Sequence, residues 1–260
     1  MAEVLALLLF FLAAQMQWLN DLGIRQARSA IDIWNRWLQK HGLHVWPAAL
    51  LVPAALAGII DLAVDQFLPQ AILTFLVFFC LLPLNEFYAR GKEVTDAVYC
   101  NEREQALAAV AAWMPSDVVI EDSEKRISNR LLGVCAFRLH HDLVAVLFWY
   151  ALLGVAGAVL YFAGRNFSGL AQRQYRDSPL VALLEFPPAC FFAGLCCLAG
   201  NFAPAAGWLF KVDVEKAALA AGDLAGETIV LERVQVYWRM LLRVLYCAVA
   251  ATIIFWLAAH

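Results

Sequence analysis

The stretch that decides the fold is residues 141–162, HDLVAVLFWYALLGVAGAVLYF. It is apolar over almost its whole length, and it matches the roughly 20 residues that an α-helix needs to cross the hydrocarbon core of a bilayer. Its start is polar, because His140 and His141 directly precede Asp142. The stretch therefore predicts a membrane-spanning helix with a polar amino-terminal end. We call this end, residues His140 to Asp142, the polar mouth, and it is a candidate site.

The composition of the whole chain also indicates a membrane environment. Of the 260 residues, 63% are hydrophobic and 16% are charged, whereas soluble domains average about 45–50% apolar and about 25% charged residues. Such a surplus of apolar side chains favours a bilayer. The net charge of −3 and the lack of a basic run argue against nucleic acid as a partner. The seven cysteines include no CxxC pair, so neither a disulfide framework nor a zinc site is expected.

Six apolar runs follow one another along the chain. They cover residues 4–19, 46–64, 68–87, 142–163, 180–200 and 240–258. We therefore predict an all-α, polytopic membrane protein of about six transmembrane helices, which forms a single membrane domain over residues 1–260. The first run resembles the apolar part of a signal peptide. Because no Lys or Arg precedes it, a retained, tilted or shallow helix is the expectation.

The basic residues are distributed unevenly between the connecting segments. With six spans, 16 of the 19 Lys and Arg residues lie on one side of the membrane, and the positive-inside rule makes that side cytoplasmic. We expect a bacterial inner (plasma) membrane protein with both termini in the periplasm. Its cytoplasmic helical layer would comprise segments at about 20–45, 88–141 and 211–240. In the first segment, residues 25–40 mix tryptophans with basic residues, which is typical of a helix at headgroup depth.

Four side chains are candidates for binding a ligand: Glu185, Asp142, Glu86 and His141. Glu185 stands just before Pro187, where we expect a break in the helix, and an acid at membrane depth usually faces a cavity or a partner. The alternative is that these residues mark helix ends at the membrane surface, with Asp142 as an N-cap and the histidines facing phosphate headgroups or a soluble partner. Adjacent helical residues point about 100° apart, so we expect no metal site here.

Other polar and small residues in the runs have structural interpretations. Asp61 closes the second run, where a helix end would meet water. Gly154 with Ala158, and Ala54 with Gly58, place small residues four apart, which lets a second helix approach closely. The sequence contains no nucleophile elbow, phosphate-binding glycine loop or HExxH motif, so we expect no catalytic residue and no cofactor.

Several segments within residues 70–258 carry a family resemblance. They are CLLP at 80–83 with EVTDAVYCNEREQA at 93–106, AVLFWYALLGVAGAVLY at 145–161, LEFPPA at 184–189 and VYWRMLLRVL at 236–245. In these segments the chain resembles AmpE, within the CobD/CbiB superfamily of bacterial inner-membrane proteins. It departs from the family pattern at five positions. Val146 replaces a proline, and Cys190 and Phe162 stand where basic residues are common. Gln15 and Gln17 replace an amino-terminal pair of an acidic and a basic residue.

The resemblance implies an inner-membrane signalling modulator or accessory protein, linked to cell-wall stress and β-lactamase induction. CbiB-type enzymes carry a denser set of polar residues, so the departures favour a non-catalytic protein that binds a small ligand, or a membrane or cytoplasmic protein partner, within the lipid bilayer. Glu185 keeps a family acid position.

One alternative is a membrane enzyme resembling the cobinamide amide (adenosylcobinamide-phosphate) synthases, with Glu185, Asp142 and Glu86 lining the site. Another is a small-molecule transporter, which the lack of paired broken helices and repeat symmetry disfavours.

Overall fold

A computed structural model describes residues 17–40, 46–64, 67–100, 105, 108, 135–136, 138–166, 179–198 and 231–259. Almost all of the predicted first span, and most of the predicted cytoplasmic segments at 101–134 and 211–230, lie outside the described residues. The described residues are helical apart from short connections, and none of them is in a strand. This confirms the prediction of an all-α chain.

Most of the described helices coincide with an apolar run, but the first and the fourth lie largely outside the runs. The described helices are α1 (Gln17–Lys40), α2 (Trp46–Ala63), α3 (Phe67–Leu81), α4 (Leu84–Tyr99), a π-helix (Leu139–Val144), α5 (Ala145–Arg165), α6 (Pro179–Leu198) and α7 (Leu231–Ala259). Proline explains one boundary, because α3 ends at Leu81 and Pro83 has no N–H to continue the helical hydrogen bonds. Helix α6, in contrast, continues through Pro187 and Pro188, so the break expected there is wrong.

Contacts between residues divide the chain into two compact units. Unit 1 comprises Met1–Asn85, Ala145–Pro188 and Ala250–His260, and unit 2 comprises Glu86–Val144 and Ala189–Val249. The single domain over residues 1–260 stays a prediction.

Helix pairs in unit 1 approach closely at small residues. Helix α2 packs most extensively against α5, and α1 packs against α3. A Cβ added at Gly58 would lie 3.2 Å from the Cβ of Ala156, and one added at Gly23 would lie 2.9 Å from the Phe79 ring. Glycine therefore sets the separation of both pairs, which confirms the packing face predicted around Gly58.

One hydrophobic cluster joins four helices of unit 1. Its buried members are one residue each from α1, α2, α5 and α6, namely Leu38, Leu50, Ala163 and Leu184. Partly buried residues that pack against it are Ile31, Trp34, Trp149 and Leu160. These side chains bring the four helices into van der Waals contact with one another.

Helix α3 meets α5 at a buried tyrosine. The Tyr150 ring lies 4.5 Å from the Phe78 ring, edge to face. Its hydroxyl lies 3.3 Å from the Thr74 hydroxyl, and the two groups hydrogen-bond. A buried hydroxyl needs such a partner because its desolvation is otherwise uncompensated.

In unit 2, α4 packs against α7 through aromatic rings. Phe87 stacks on Trp238 with ring centroids 5.1 Å apart, and the side chains of Tyr88 and Tyr246 hydrogen-bond. Gly91 leaves room for the same indole, because a Cβ there would overlap the Trp238 ring. A glycine and a tryptophan thus form a complementary contact.

Two helical stretches in the described part of the chain are long and apolar enough to cross a membrane. They are Pro69–Ala97 and Leu139–Arg165. The first contains the connection at Leu82 and Pro83.

The contact between Gly91 and Trp238 predicts the effect of a single methyl group. Gly91→Ala should lower the free energy of unfolding by about 1–3 kcal/mol, the usual cost of overpacking. Denaturant titration of the purified protein in detergent, followed by circular dichroism, measures this change. Gly194→Ala is the matched control, because nothing in the described chain lies within 4 Å of the added Cβ. Equal stability of the two variants would contradict the packing of α4 on α7.

Candidate functional site

The predicted polar mouth lies inside a π-helix, Leu139–Val144. His140 and His141 are 1% and 3% exposed, so the expectation that they face headgroups or a soluble partner is wrong. Their ring centroids lie 4.5 Å apart, and the His140 ring lies 5.2 Å from that of Phe192. Turns of π-helix are frequent at functional sites, and this one holds two buried imidazoles.

Asp142 forms an ion pair one turn along the helix. The Nη1 of Arg138 donates to Oδ2 of Asp142 at 3.2 Å, and the two side chains are 25% and 18% exposed. Because Asp142 lies within the π-helix, the expectation that it caps a helix start is wrong. A ligand that bound this carboxylate would have to displace or share the guanidinium of Arg138.

Cys135 lies one turn before the π-helix and is 4% exposed. Burial raises the pKa of its thiol to about 12, because the interior penalises the charged thiolate. The thiol therefore stays protonated at neutral pH, and a protonated thiol is a poor nucleophile. Cys135 is a packing residue.

The two predicted glutamates lie in different units. Glu86 is in the first turn of α4, where the helix dipole favours a negative charge, and it belongs to unit 2 with Asp142 and His141. Glu185 is half-buried on α6 and belongs to unit 1. The structure thus brings His141 and Asp142 into one helical turn. Convergence of all four residues on a single cavity stays a prediction.

The backbone beside Glu185 is bound by a side chain from another helix. Pro188 has no N–H, so it cannot pair with the carbonyl of Leu184, four residues before it. The indole Nε1 of Trp149, on α5, donates to that carbonyl oxygen at 2.9 Å. Trp149 was not among the predicted site residues. The signal for it was the proline itself, because a proline inside a helix leaves a carbonyl in need of a donor.

A second irregularity lies in the middle of α5. Gly154 has φ of 64° and ψ of −151°, which divides the helix into two parts. A continuous helix was expected here, and this expectation is wrong. The bend is sharp, because a Cβ added at Gly157 would overlap the carbonyl oxygen of Trp149.

A carboxylate from α2 occupies this break. Asp61 accepts a hydrogen bond from the backbone N–H of Val155, the first residue after Gly154. A Cβ at Gly154 would lie 3.1 Å from Oδ2 of Asp61. Asp61 therefore caps the second part of α5, and it is not simply a helix end that meets water. Its spacing of three from Gly58 was the sequence signal, since both lie on the face that packs against α5.

Within the described residues, no three His, Cys, Asp or Glu side chains are grouped so that they could hold a metal ion. No family model, curated protein or solved structure matches the chain. The resemblance to AmpE therefore stays a prediction from the quoted segments.

The hydrogen bond between Trp149 and Leu184 predicts a coupling with Pro188. Trp149→Phe keeps an aromatic ring but removes the N–H, so the free energy of unfolding should fall by about 1–2 kcal/mol. Pro188→Ala supplies a backbone N–H for the same carbonyl, so it should recover part of that loss in the Trp149→Phe background. A double-mutant cycle by denaturant titration measures the coupling. Strictly additive effects would contradict this role for Trp149.

The cap at the break in α5 predicts different results for two substitutions of Asp61. Asp61→Ala removes the acceptor and should lower the free energy of unfolding by roughly 1–2 kcal/mol. Asp61→Asn keeps a carbonyl oxygen at the same place and should lower it by clearly less. The measurement is the thermal midpoint of each purified variant in the same detergent. Equal losses in both variants would show that Asp61 does not act as an acceptor for Val155.

Proposed function

We propose that this chain is a polytopic protein of the bacterial inner membrane that modulates cell-wall signalling in the manner of AmpE. It acts without catalysis, by binding a small ligand or a protein partner within the membrane. The proposal includes about six transmembrane helices, with both termini in the periplasm. The distribution of Lys and Arg along the sequence supports that topology.

The observation that carries the membrane location is the outer face of α2. One side of this helix packs inward through Leu50 and Ala54. The opposite side exposes six large apolar side chains, which are Leu51, Val52, Leu56, Ile59, Ile60 and Leu62. A helix that is apolar all round needs either a protein interior or lipid around it. Contiguous exposed apolar surface of this kind is typical of a membrane interaction.

The inner contacts of unit 1 support the same environment. In hydrocarbon, every polar group must find a partner within the protein. The hydroxyls of Thr74 and Tyr150 pair with each other, and the indole of Trp149 pairs with the Leu184 carbonyl. These two contacts between helices therefore pair their polar groups without water.

The link to cell-wall signalling rests on the resembling segments. Two of them, residues 145–161 and 184–189, are joined by the hydrogen bond from Trp149 to Leu184. Glu185, the acid that the resemblance retains, follows Leu184 directly. This contact supports the proposal that the two segments act together around Glu185.

The functional test is a gene deletion with complementation. Loss of the gene should change β-lactamase induction after exposure to a β-lactam, and the wild-type gene should restore the response. Glu185→Gln should fail to restore it. Glu93→Gln is the matched control, because Glu93 is an exposed acid paired with Arg90. An unchanged β-lactam response in the deletion strain would count against the proposal.

A small-molecule transporter is the second candidate, and the break in α5 favours it. Discontinuous helices at ion and substrate sites are common in secondary transporters, and here Asp61 places a carboxylate at the break. Proteoliposomes with an internal pH dye test this candidate under an imposed membrane potential. Proton influx through the wild type that Asp61→Asn abolishes would support a transporter. The lack of any flux through the wild type would contradict it.

A further inference from the structure

Helix α1 has two faces of different character. The inner face contributes Ile24 and Leu38, which are 3% and 5% exposed. Leu38 belongs to the cluster with Leu50 on α2, and Gly23 lies against Phe79 on α3. The helix is therefore fixed to the rest of unit 1 along one side, and its other side faces outward.

The outward face combines large apolar side chains with basic ones. Its exposed apolar residues are Leu22, Ile33 and Trp37, at 46%, 57% and 46% exposure. Its exposed basic residues are Arg25, Arg36 and Lys40. At about 100° per residue, all six lie within about 120° of the helix circumference. We call this set of six residues the basic–apolar face.

The arginines on this face are held in an outward position. The Nε of Arg25 donates to the carbonyl oxygen of Asp21 at 3.2 Å, and the Nε of Arg36 donates to that of Asp32 at 3.3 Å. Each contact spans one helical turn and uses one donor of the guanidinium. Both side chains are exposed, so the terminal amino groups are directed to the surroundings. A guanidinium in this position suits a phosphate oxygen.

The outer faces of α1 and α2 indicate different depths in a bilayer. The exposed side chains of α2 are large and apolar, as acyl chains require. The face of α1 adds three cations and a half-exposed indole to its apolar residues. That combination is typical of the headgroup layer, where aromatic rings lie at the boundary and basic groups reach phosphate.

We propose that the basic–apolar face of α1 docks on anionic phospholipid headgroups, with Arg25, Arg36 and Lys40 binding lipid phosphate. Leu22, Ile33 and Trp37 enter the boundary with the acyl chains. The partner is an anionic bilayer surface, which complements three positive charges on a chain whose net charge is −3. This inference rests on the proposed membrane location and adds a lipid class to it.

The test titrates the full-length protein in detergent with phosphatidylglycerol or phosphatidylcholine, and native mass spectrometry counts the bound lipids. The wild type should bind phosphatidylglycerol at least about tenfold more tightly than phosphatidylcholine. The triple variant Arg25→Gln/Arg36→Gln/Lys40→Gln should lose that preference. A control triple variant, Lys92→Gln/Arg239→Gln/Arg243→Gln, removes the same charge from other exposed positions and should keep it. The thermal midpoint of each variant in detergent checks that it is folded.

Three results would overturn the inference. The wild type could bind phosphatidylglycerol and phosphatidylcholine equally, or the α1 triple variant could keep the preference for phosphatidylglycerol. The third such result is that both triple variants lose that preference equally. Extraction of cell membranes with alkaline carbonate distinguishes this inference from the proposed function. Suppose that alkaline carbonate releases the protein from membranes, but that the protein still prefers phosphatidylglycerol through α1. The docking face would then stand, and the proposal that the chain spans the membrane would be wrong.

Discussion

A buried polar group of the backbone needs a hydrogen-bond partner within the protein, and this constraint shapes the contacts of unit 1. The hydrogen bond from the Trp149 indole to the Leu184 carbonyl satisfies it for α6. Pro188 makes it necessary, because its missing N–H leaves that carbonyl unpaired within α6. Water would satisfy the group at a surface, but here Leu184 lies in an apolar cluster with Leu38 and Leu50. The donor therefore has to come from the protein, and the hydrogen bond from Trp149 connects α5 to α6. The cluster around it extends the same contact to α1 and α2.

The same physical constraint explains why Asp61 lies at the break in α5. A glycine with positive φ interrupts the helix, and the N–H of Val155 is then without its helical acceptor. Asp61 supplies an oxygen from α2, the helix that packs most extensively on α5. An ionisable residue inside an apolar helix is costly, and such residues commonly have a functional role. Here Asp61 has a structural task that also places a carboxylate beside a helix break.

The candidate site shows what the sequence predicts well and what it does not. The positions of most helices follow from the apolar runs, because a helix needs only local propensity and a long hydrophobic segment. The surroundings of the His140–Asp142 mouth were not predictable in this way. Whether an imidazole is buried, or an aspartate pairs with Arg138 instead of capping a helix, depends on the local backbone and on neighbouring helices. The π-helix at Leu139–Val144 changes both, and no pattern in the sequence indicates it.

The sequence by itself determined that the chain is helical, where most of its helices lie and which face of α1 carries the basic and aromatic residues. These properties depend on residue type and on a period of 3.6 residues, so they can be read along the chain. The tertiary structure alone decided which side chain satisfies which polar group. Thr74 meets Tyr150 across 76 positions of sequence, and Trp149 meets Leu184 across 35. Such partners are set by the packing of whole helices, because a buried donor must pair with whatever acceptor the neighbouring helix brings within reach.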